Sequence, residues 1–308
     1  MTVWLVGHGV VGRRVERLLG HRDIRLHDPR REPTPMGQPG DVAVLAQPGR
    51  HLHLAEVYAR RRISVITVGD DLDDVHGLLE LGPSFANADC SLVIGAALSP
   101  GLSGLLARYL AQQLHSVDEI HIAVHGTAGP SCARAHHRSL SGRSPGLVDG
   151  RWVEFRGGAG RELCWFPEPV GPLDCYRAEI ATPVLLHQAF PEVGRISARR
   201  SATRRDRLTA PLPMLRPPHA EGGIGALRVE VRGADAAGAR ETLVVGIAEL
   251  VGTAAAAVAA AFAEACLDGQ LPHGVVRAAD EVLDTRDLLR RVEAHGVRIQ
   301  AFTGQPYG

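Results

Sequence analysis

Gly7, Gly9 and Gly12 come straight off an apolar run, Val3 to Val6, and they constrain this chain more than any other feature in it. A Gly-x-Gly-x-x-Gly pattern that follows a strand and opens a helix is a dinucleotide-binding fingerprint in which each glycine has its own steric task. Gly7 makes the tight turn off the strand, Gly9 lets a pyrophosphate approach the backbone, and Gly12 lets the helix lie close to the sheet. The helix entered at Val10 and Val11 is amphipathic and ends near Gly20. Its free N–H groups and positive dipole end favour phosphate charge. A second strand from Ile24 then finishes on Asp28, an acid placed to accept hydrogen bonds from an adenosine ribose. The competing reading is a glycine-rich turn in an α/β fold that binds no nucleotide.

The next hundred residues alternate strand and helix in the manner of parallel βαβ units. Strands are predicted at 41–46, 63–68 and 91–94, and helices at 49–62, 72–81, 83–89 and from Pro100 to Leu114. The pattern changes after Ser116. Ile120, Ile122 and Val124 alternate with polar residues, as on a half-buried strand. A stretch from about 126 to 172, rich in Gly, Ser, His and Arg, reads as irregular. Segments 226–232 and 241–247 read as an antiparallel hairpin, and Arg195 to Ala202 as a further strand. Residues 277–282 read as an extended or turn segment between helices at 253–267 and 284–296, with a last strand from Val297. The fold class expected is α/β: a Rossmann doubly wound parallel sheet (1–117), an inserted antiparallel α+β domain for substrate or oligomerisation (118–250), and a C-terminal return to the first domain (251–308). The strands at 119–125, 226–232 and 241–247 should form one antiparallel sheet. Its apolar face is expected on helices, including those near the C-terminus. Its polar face, with His121, His125, Arg228, Glu230 and Arg232, is expected in a homodimer contact.

Composition excludes several classes. No run of about 18 apolar residues exists, so no membrane span is expected. The chain enters its first strand at once, without a signal peptide, which predicts a cytoplasmic protein. The five cysteines lack CxxC spacing and read as reduced thiols. Formal net charge is zero, so no global field attracts nucleic acid. The sequence has no lysine, which excludes a Schiff base or a lysine general base. Cys132, His136, His137 and Cys164 lack zinc-ligand spacing, and no metal is expected.

Further cofactor contacts are expected at Gln47, Pro48 and Gly49, in the loop after a strand whose end faces the crevice; an ordinary βα turn is the alternative. Asp70 and Asp71 read as helix N-caps or as ribose contacts. Asp28 favours the free 2′-hydroxyl of NAD, whereas Arg30 or Arg31 can bind the 2′-phosphate of NADP; the acid at the motif position tips the reading to NAD. Ser99, Pro100 and Gly101 open a helix toward the cleft, either to hold a substrate carboxylate or simply to cap the helix. Arg195, Arg199, Arg200, Arg204, Arg205 and Arg207 form a basic run. It is either a solvated or subunit-contact face, or holds an anion-recognising subset suited to a dicarboxylate.

Several segments together resemble the saccharopine dehydrogenase-like oxidoreductases. These are the opening fingerprint, Gly95–Ala107 (GAALSPGLSGLLA), Phe166–Gly171 with Cys175 and Tyr176 downstream, Ala189–Pro191, Gly252–Ala257 and Leu271–Val275. The resemblance implies NAD(P)-linked hydride transfer at a C–N bond of a small amino or imino acid. Such a reaction needs a proton for nitrogen, and Cys175 and Tyr176 are the polar candidates in the middle segment; burial as packing residues is their alternative. Two other functions fit the same sequence: a non-catalytic dinucleotide-binding sensor or assembly protein, and a reductase of a non-amino carbonyl or enoyl substrate.

Overall fold

The computed structural model describes residues 1–31, 37–214 and 217–301. They form two compact units. The first holds Met1–Leu102 and Gly252–Gly296, and the second holds Ser103–Val251 and the chain from Val297 onward.

The chain begins with β1 (Thr2–Val6), α1 (Val10–Leu18), β2 (Asp23–His27), β3 (Val42–Leu45), α2 (Leu52–Arg60), β4 (Ser64–Thr67), α3 (Leu72–Glu80), α4 (Gly82–Asn87) and β5 (Ser91–Ile94). A π-type turn at Leu98–Leu102 leads into α5 (Ser103–Ala111). The second unit continues with β6 (Ser116–His125), α6 (Pro130–Ser139), β7 (Arg143–Val148), β8 (Arg151–Arg156), β9 (Glu162–Trp165), β10 (Pro172–Arg177), α7 (Thr182–Ala189), β11 (Arg195–Ser201), α8 (Arg204–Thr209), β12 (Ile224–Ala234) and β13 (Arg240–Leu250). The chain ends with α9 (Val251–Leu267), β14 (Gly274–Arg277), α10 (Thr285–Ala294) and β15 (Gln300–Ala301).

The first unit is a six-stranded sheet in the order β14-β5-β4-β3-β1-β2, every pair parallel. β3 and β5 are buried at every position, as expected for strands covered on both faces. Chain direction across the sheet reverses between β1 and β3, which makes the carboxyl ends of those strands the topological switch point. The sixth strand, β14, lies beside β5 and ends at Arg277, where the 277–282 segment read as extended or turn begins. An acid on α3 fixes the start of α2: Asp74 accepts from His51 N at 2.9 and 2.8 Å and from Leu52 N at 3.0 Å. Asp71 caps α3 by accepting from Asp74 N, so of the two acids at that strand end it is the helix cap.

The second unit is a sheet in the order β15-β13-β12-β6-β11-β10-β9, with β7 and β8 branching from β11. The three segments expected to pair do so antiparallel, as β13-β12-β6. The sheet is mixed, however, because β11 lies parallel to β6. β11 arrives from a helix, α7, rather than a tight turn, and a helical crossover is what parallel pairing needs. The 126–172 stretch is not irregular: it holds α6, β7, β8 and β9. β8 is exposed at five of its six positions, so it carries no alternation to read. The apolar face, with Ile120, Ile122, Leu227 and Val229 buried, is covered within this unit by α5 on β12 and α7 on β11. That explains why the unit begins at Ser103 rather than at 118. The terminal strand β15 pairs with β13, so the chain from Val297 belongs to this unit and not to the first.

Asp74→Ala leaves the buried N–H groups of His51 and Leu52 without their acceptor. Chemical denaturation should show a loss of about 2–3 kcal/mol, with Asn recovering part of it.

Candidate cofactor and substrate sites

At the switch point the glycines are required by backbone contacts. A Cβ on Gly7 (φ +98°) would sit 2.3 Å from Gln47 N, and one on Gly12 would sit 1.9 Å from the Gly7 carbonyl oxygen. The turn after β1 and the loop after β3 are therefore in direct contact. Gly9 differs: a Cβ there meets nothing within 4 Å. It is the N-cap of α1, with no side chain capping the helix and no acid in the first turn. Uncapped N–H groups beside open space form the cradle a pyrophosphate requires, so the residues present fit a dinucleotide.

The Gln47-Pro48-Gly49 loop is held by His51, whose Nε2 donates to the Gln47 carbonyl at 3.0 Å. Burial pushes the His51 imidazole below its usual range, so the ring stays neutral. Asp28 lies just beyond β2 with its side chain half exposed. One carboxylate oxygen accepts from Arg30 N at 3.0 Å, and the other is 3.6 Å from Arg31 Nε, on a side chain 87% exposed. The acid is thus fixed by the Asp28–Arg31 turn while keeping lone pairs for a ribose.

The Ser99–Gly101 segment has a packing role. Pro100 Cγ lies 2.3 Å from where a Gly95 Cβ would be, and a Gly101 Cβ would meet Gly95 O at 2.8 Å and Val258 of α9 at 3.0 Å. This close approach explains the glycine and proline spacing of 95–101. Pro100 and Gly101 are buried.

In the second unit a cavity of about 540 Å³ opens where β6 and β11 end, with His125, His136, Asp174, Ser201 and Thr203 in its wall. The parallel register sets Arg200 beside Val124 and so brings Ser201 to His125, whose Nδ1 is 2.7 Å from Ser201 Oγ. The His125 ring leans on Phe166, and its Nε2 has no partner among the described residues. Burial lowers the His125 pKa. His136, from α6, donates from Nε2 to the Ser201 carbonyl at 3.1 Å, which leaves Nδ1 a buried acceptor without a donor. Burial and the nearby Arg200 push His136 down to about 3. Asp174 pairs with Arg161 at 2.9 Å.

The two proton-transfer candidates of the middle segment sit elsewhere. Cys175 is fully buried in an apolar cluster with Ala123, Cys164, Phe166 and Ala226. The Cys164 thiol and burial push its pKa up, so it stays protonated. Tyr176 is 4% exposed, with the Arg207 guanidinium 4.1 Å over its ring. Both have packing environments, and the cavity wall takes their neighbour Asp174 instead. His125, read from sequence as part of a subunit-contact face, and His136, read as a poor zinc ligand, are the polar groups that meet at this cavity; the one local signal for it is a histidine at a strand end followed by Gly126.

No family model and no curated protein match the chain. Solved structures do. Apo saccharopine dehydrogenase (L-Glu forming) from Saccharomyces cerevisiae is 13% identical, with a TM-score of 0.67 over 98% of this chain and 100% of that one. Amine dehydrogenase from Mycobacterium smegmatis is 11% identical (TM-score 0.51, covering 91% and 95%). C. glutamicum DAP dehydrogenase in complex with DAP is 15% identical (TM-score 0.50, covering 96% and 99%). Among the described residues no helix is long and apolar enough to cross a membrane.

Two tests follow from this geometry. Gly9→Ala should keep its stability within about 1 kcal/mol, while dinucleotide affinity by calorimetry falls at least about tenfold; Gly12→Ala should lose more than about 2 kcal/mol of stability. For His136, the unfolded chain binds a proton from its ordinary 6.5 downward, but the folded chain only near 3. Stability must therefore fall as pH drops through that window, by about 2 kcal/mol at about pH 5. His136→Gln should remove that part of the acid sensitivity in denaturation curves at the two pH values.

Proposed function

From a chain with a saccharopine dehydrogenase-like fold, we propose an NAD(P)-dependent oxidoreductase that transfers hydride at a C–N bond of a small amino-acid-derived imine or amine. The observation that carries this reading is the open Gly9 cradle at the switch point, with Asp28 held at the end of the second strand. The similar structures are named as dehydrogenases, one of them an amine dehydrogenase, which supports oxidoreductase chemistry.

Gly7, Gly9 and Gly12, with the N–H groups at Val10 and Val11, hold the pyrophosphate; Gln47, Pro48 and Gly49 border the crevice beside it. Asp28 accepts from the adenosine ribose, and its charge disfavours a 2′-phosphate. NAD is therefore the cofactor this site favours over NADP, with Arg30 and Arg31 the residues that would reverse the preference. When bound, the nicotinamide supplies or accepts the hydride. His125 is the group we assign to the substrate nitrogen's proton. Its imidazole is neutral at physiological pH, Nδ1 is fixed by Ser201, and Nε2 is left to donate or accept in the cavity. The cavity volume suits a small amino or imino acid.

The test is a panel of amino acids and their keto acids with ammonia, assayed with NADH, NADPH and their oxidised forms by nicotinamide absorbance. Turnover of an amino or imino acid is the expected result. Dinucleotide binding without turnover would instead make this a sensor or assembly protein, and turnover only of non-amino carbonyl or enoyl compounds would move the reaction off the C–N bond. Asp28→Ala should weaken NADH more than NADPH; a wild type that already prefers NADPH about tenfold, or about 1.4 kcal/mol, removes the NAD assignment. His125→Asn should lower kcat by about a hundredfold or more with dinucleotide affinity unchanged.

A further inference from the structure

The polar face of the second-unit sheet has an arginine, Arg177, that forms no ion pair with an acid among the described residues, although Glu162 is near enough to feel its charge. Four arginines (Arg177, Arg195, Arg199, Arg232) and two glutamates (Glu119, Glu162) line a cavity of about 240 Å³ at the beginning of β6. Glu119 takes Arg195 at 3.5 Å, Arg232 at 3.2 Å and His121 at 2.9 Å. Glu162 takes Arg199 at 2.7 Å. Arg195 also reaches Asp149 at 3.2 Å, and Arg232 also pairs with Glu230 at 2.5 Å. Burial alone would raise the Glu230 carboxyl, but Arg228 and Arg232 hold it below the usual range. Every acid that faces this cavity is thus already committed to an arginine.

Arg177 is left over. Its guanidinium lies 3.3 Å over the Phe155 ring and has no carboxylate or carbonyl partner among the described residues. In the β10–β11 register it stands directly opposite Arg199. A Cβ on Gly160 would touch both guanidinium groups, at 3.1 Å from Arg177 Nε and 3.2 Å from Arg199 Nη1. Like charges directly opposite across an antiparallel pair are destabilising. Burial and the charge of Arg199 accordingly push the Arg177 guanidinium below its usual pKa. A planar guanidinium held on a ring, beside a second one, presents donors in the geometry that a carboxylate or phosphate accepts in pairs.

We propose that this cavity is a binding site for a small oxyanion ligand, a carboxylate or phosphate compound, with Arg177 as its anchoring cation and Arg199 beside it. The site goes beyond the redox reading. His121 in this cavity and His125 in the other are four residues apart on one strand, about 13 Å, so one small molecule does not fill both.

Calorimetry at low ionic strength with inorganic phosphate, succinate and citrate tests it, because screening hides such charges at high salt. Wild type should bind at least one probe with a Kd of about 1 mM or tighter, and Arg177→Met should bind it at least about tenfold more weakly, with dinucleotide affinity unchanged. Phosphate alone, or the carboxylates alone, identifies which oxyanion the site takes. Should Arg177→Met not fold, Arg177→Lys keeps the charge and the stem but not the fork, and it too should weaken binding. Absence of binding by all three probes to wild type overturns the proposal, as does equal affinity in wild type and the Arg177 variants. So does a wild-type dimer, seen by sedimentation, that Arg177→Glu dissociates, since the face would then be a subunit contact.

Discussion

Two backbone segments touch at the switch point of the first unit, and the rest of that unit is arranged around the contact. Gly7 and Gly12 leave no room for a side chain because the Gln47 amide and the Gly7 carbonyl occupy it. That closeness draws α1 down onto the sheet and sets the loop after β3 against the turn after β1. It also leaves the first N–H groups of α1 aimed at the space above Gly9. The Asp74 carboxylate serves the same end from the other side, since it fixes where α2 leaves that loop. The cradle is thus made of main chain, and only its margins, Asp28 and Gln47, are side chains.

How far the fold could be read from sequence follows from how local each signal is. The glycine spacing and the near-continuous apolar runs of β1, β3, β4 and β5 are contained in a few residues each, and the parallel sheet was legible from them. The antiparallel pairing of β6, β12 and β13 was legible for a similar reason, because alternation marks one buried face. The exceptions are particular. β8 is exposed on both faces and looks like loop. β14 is four residues long and is recognisable as a strand only beside β5. The parallel pairing of β11 depends on α7 crossing over, which no residue of β11 records. The cavity of the second unit was least legible, because His136 meets Ser201 across 65 residues of chain and His125 meets it across 76. Cys175 and Tyr176 stand out by residue type, but their burial is a matter of long-range packing that the local sequence does not record.

A chain whose cations are all arginine divides its electrostatics in an unusual way. Arginine stays charged at every physiological pH, so proton exchange near neutrality falls to histidine. The ion pairs around Glu119, Glu162 and Glu230 are accordingly fixed charges. The imidazoles of His51, buried, and of His125 and His136, half-buried, are held neutral by desolvation. The second-unit sheet separates two environments along β6: arginine–carboxylate pairs at its beginning and neutral imidazoles at its end.

The first unit is completed by residues that follow the second in sequence. β14 is the outermost strand of the parallel sheet beside β5, and α9, whose alanines at 254–257 and 259–261 are all buried, belongs to the same unit. On a ribosome the nucleotide-fold half therefore emerges first yet lacks its sixth strand and a core helix until Arg277 has been translated. Meanwhile the whole of 103–251 has already appeared as one uninterrupted piece. Synthesis order and completion order are thus inverted, and the apolar edge of β5 stays uncovered while the 183 residues from 95 to 277 are made.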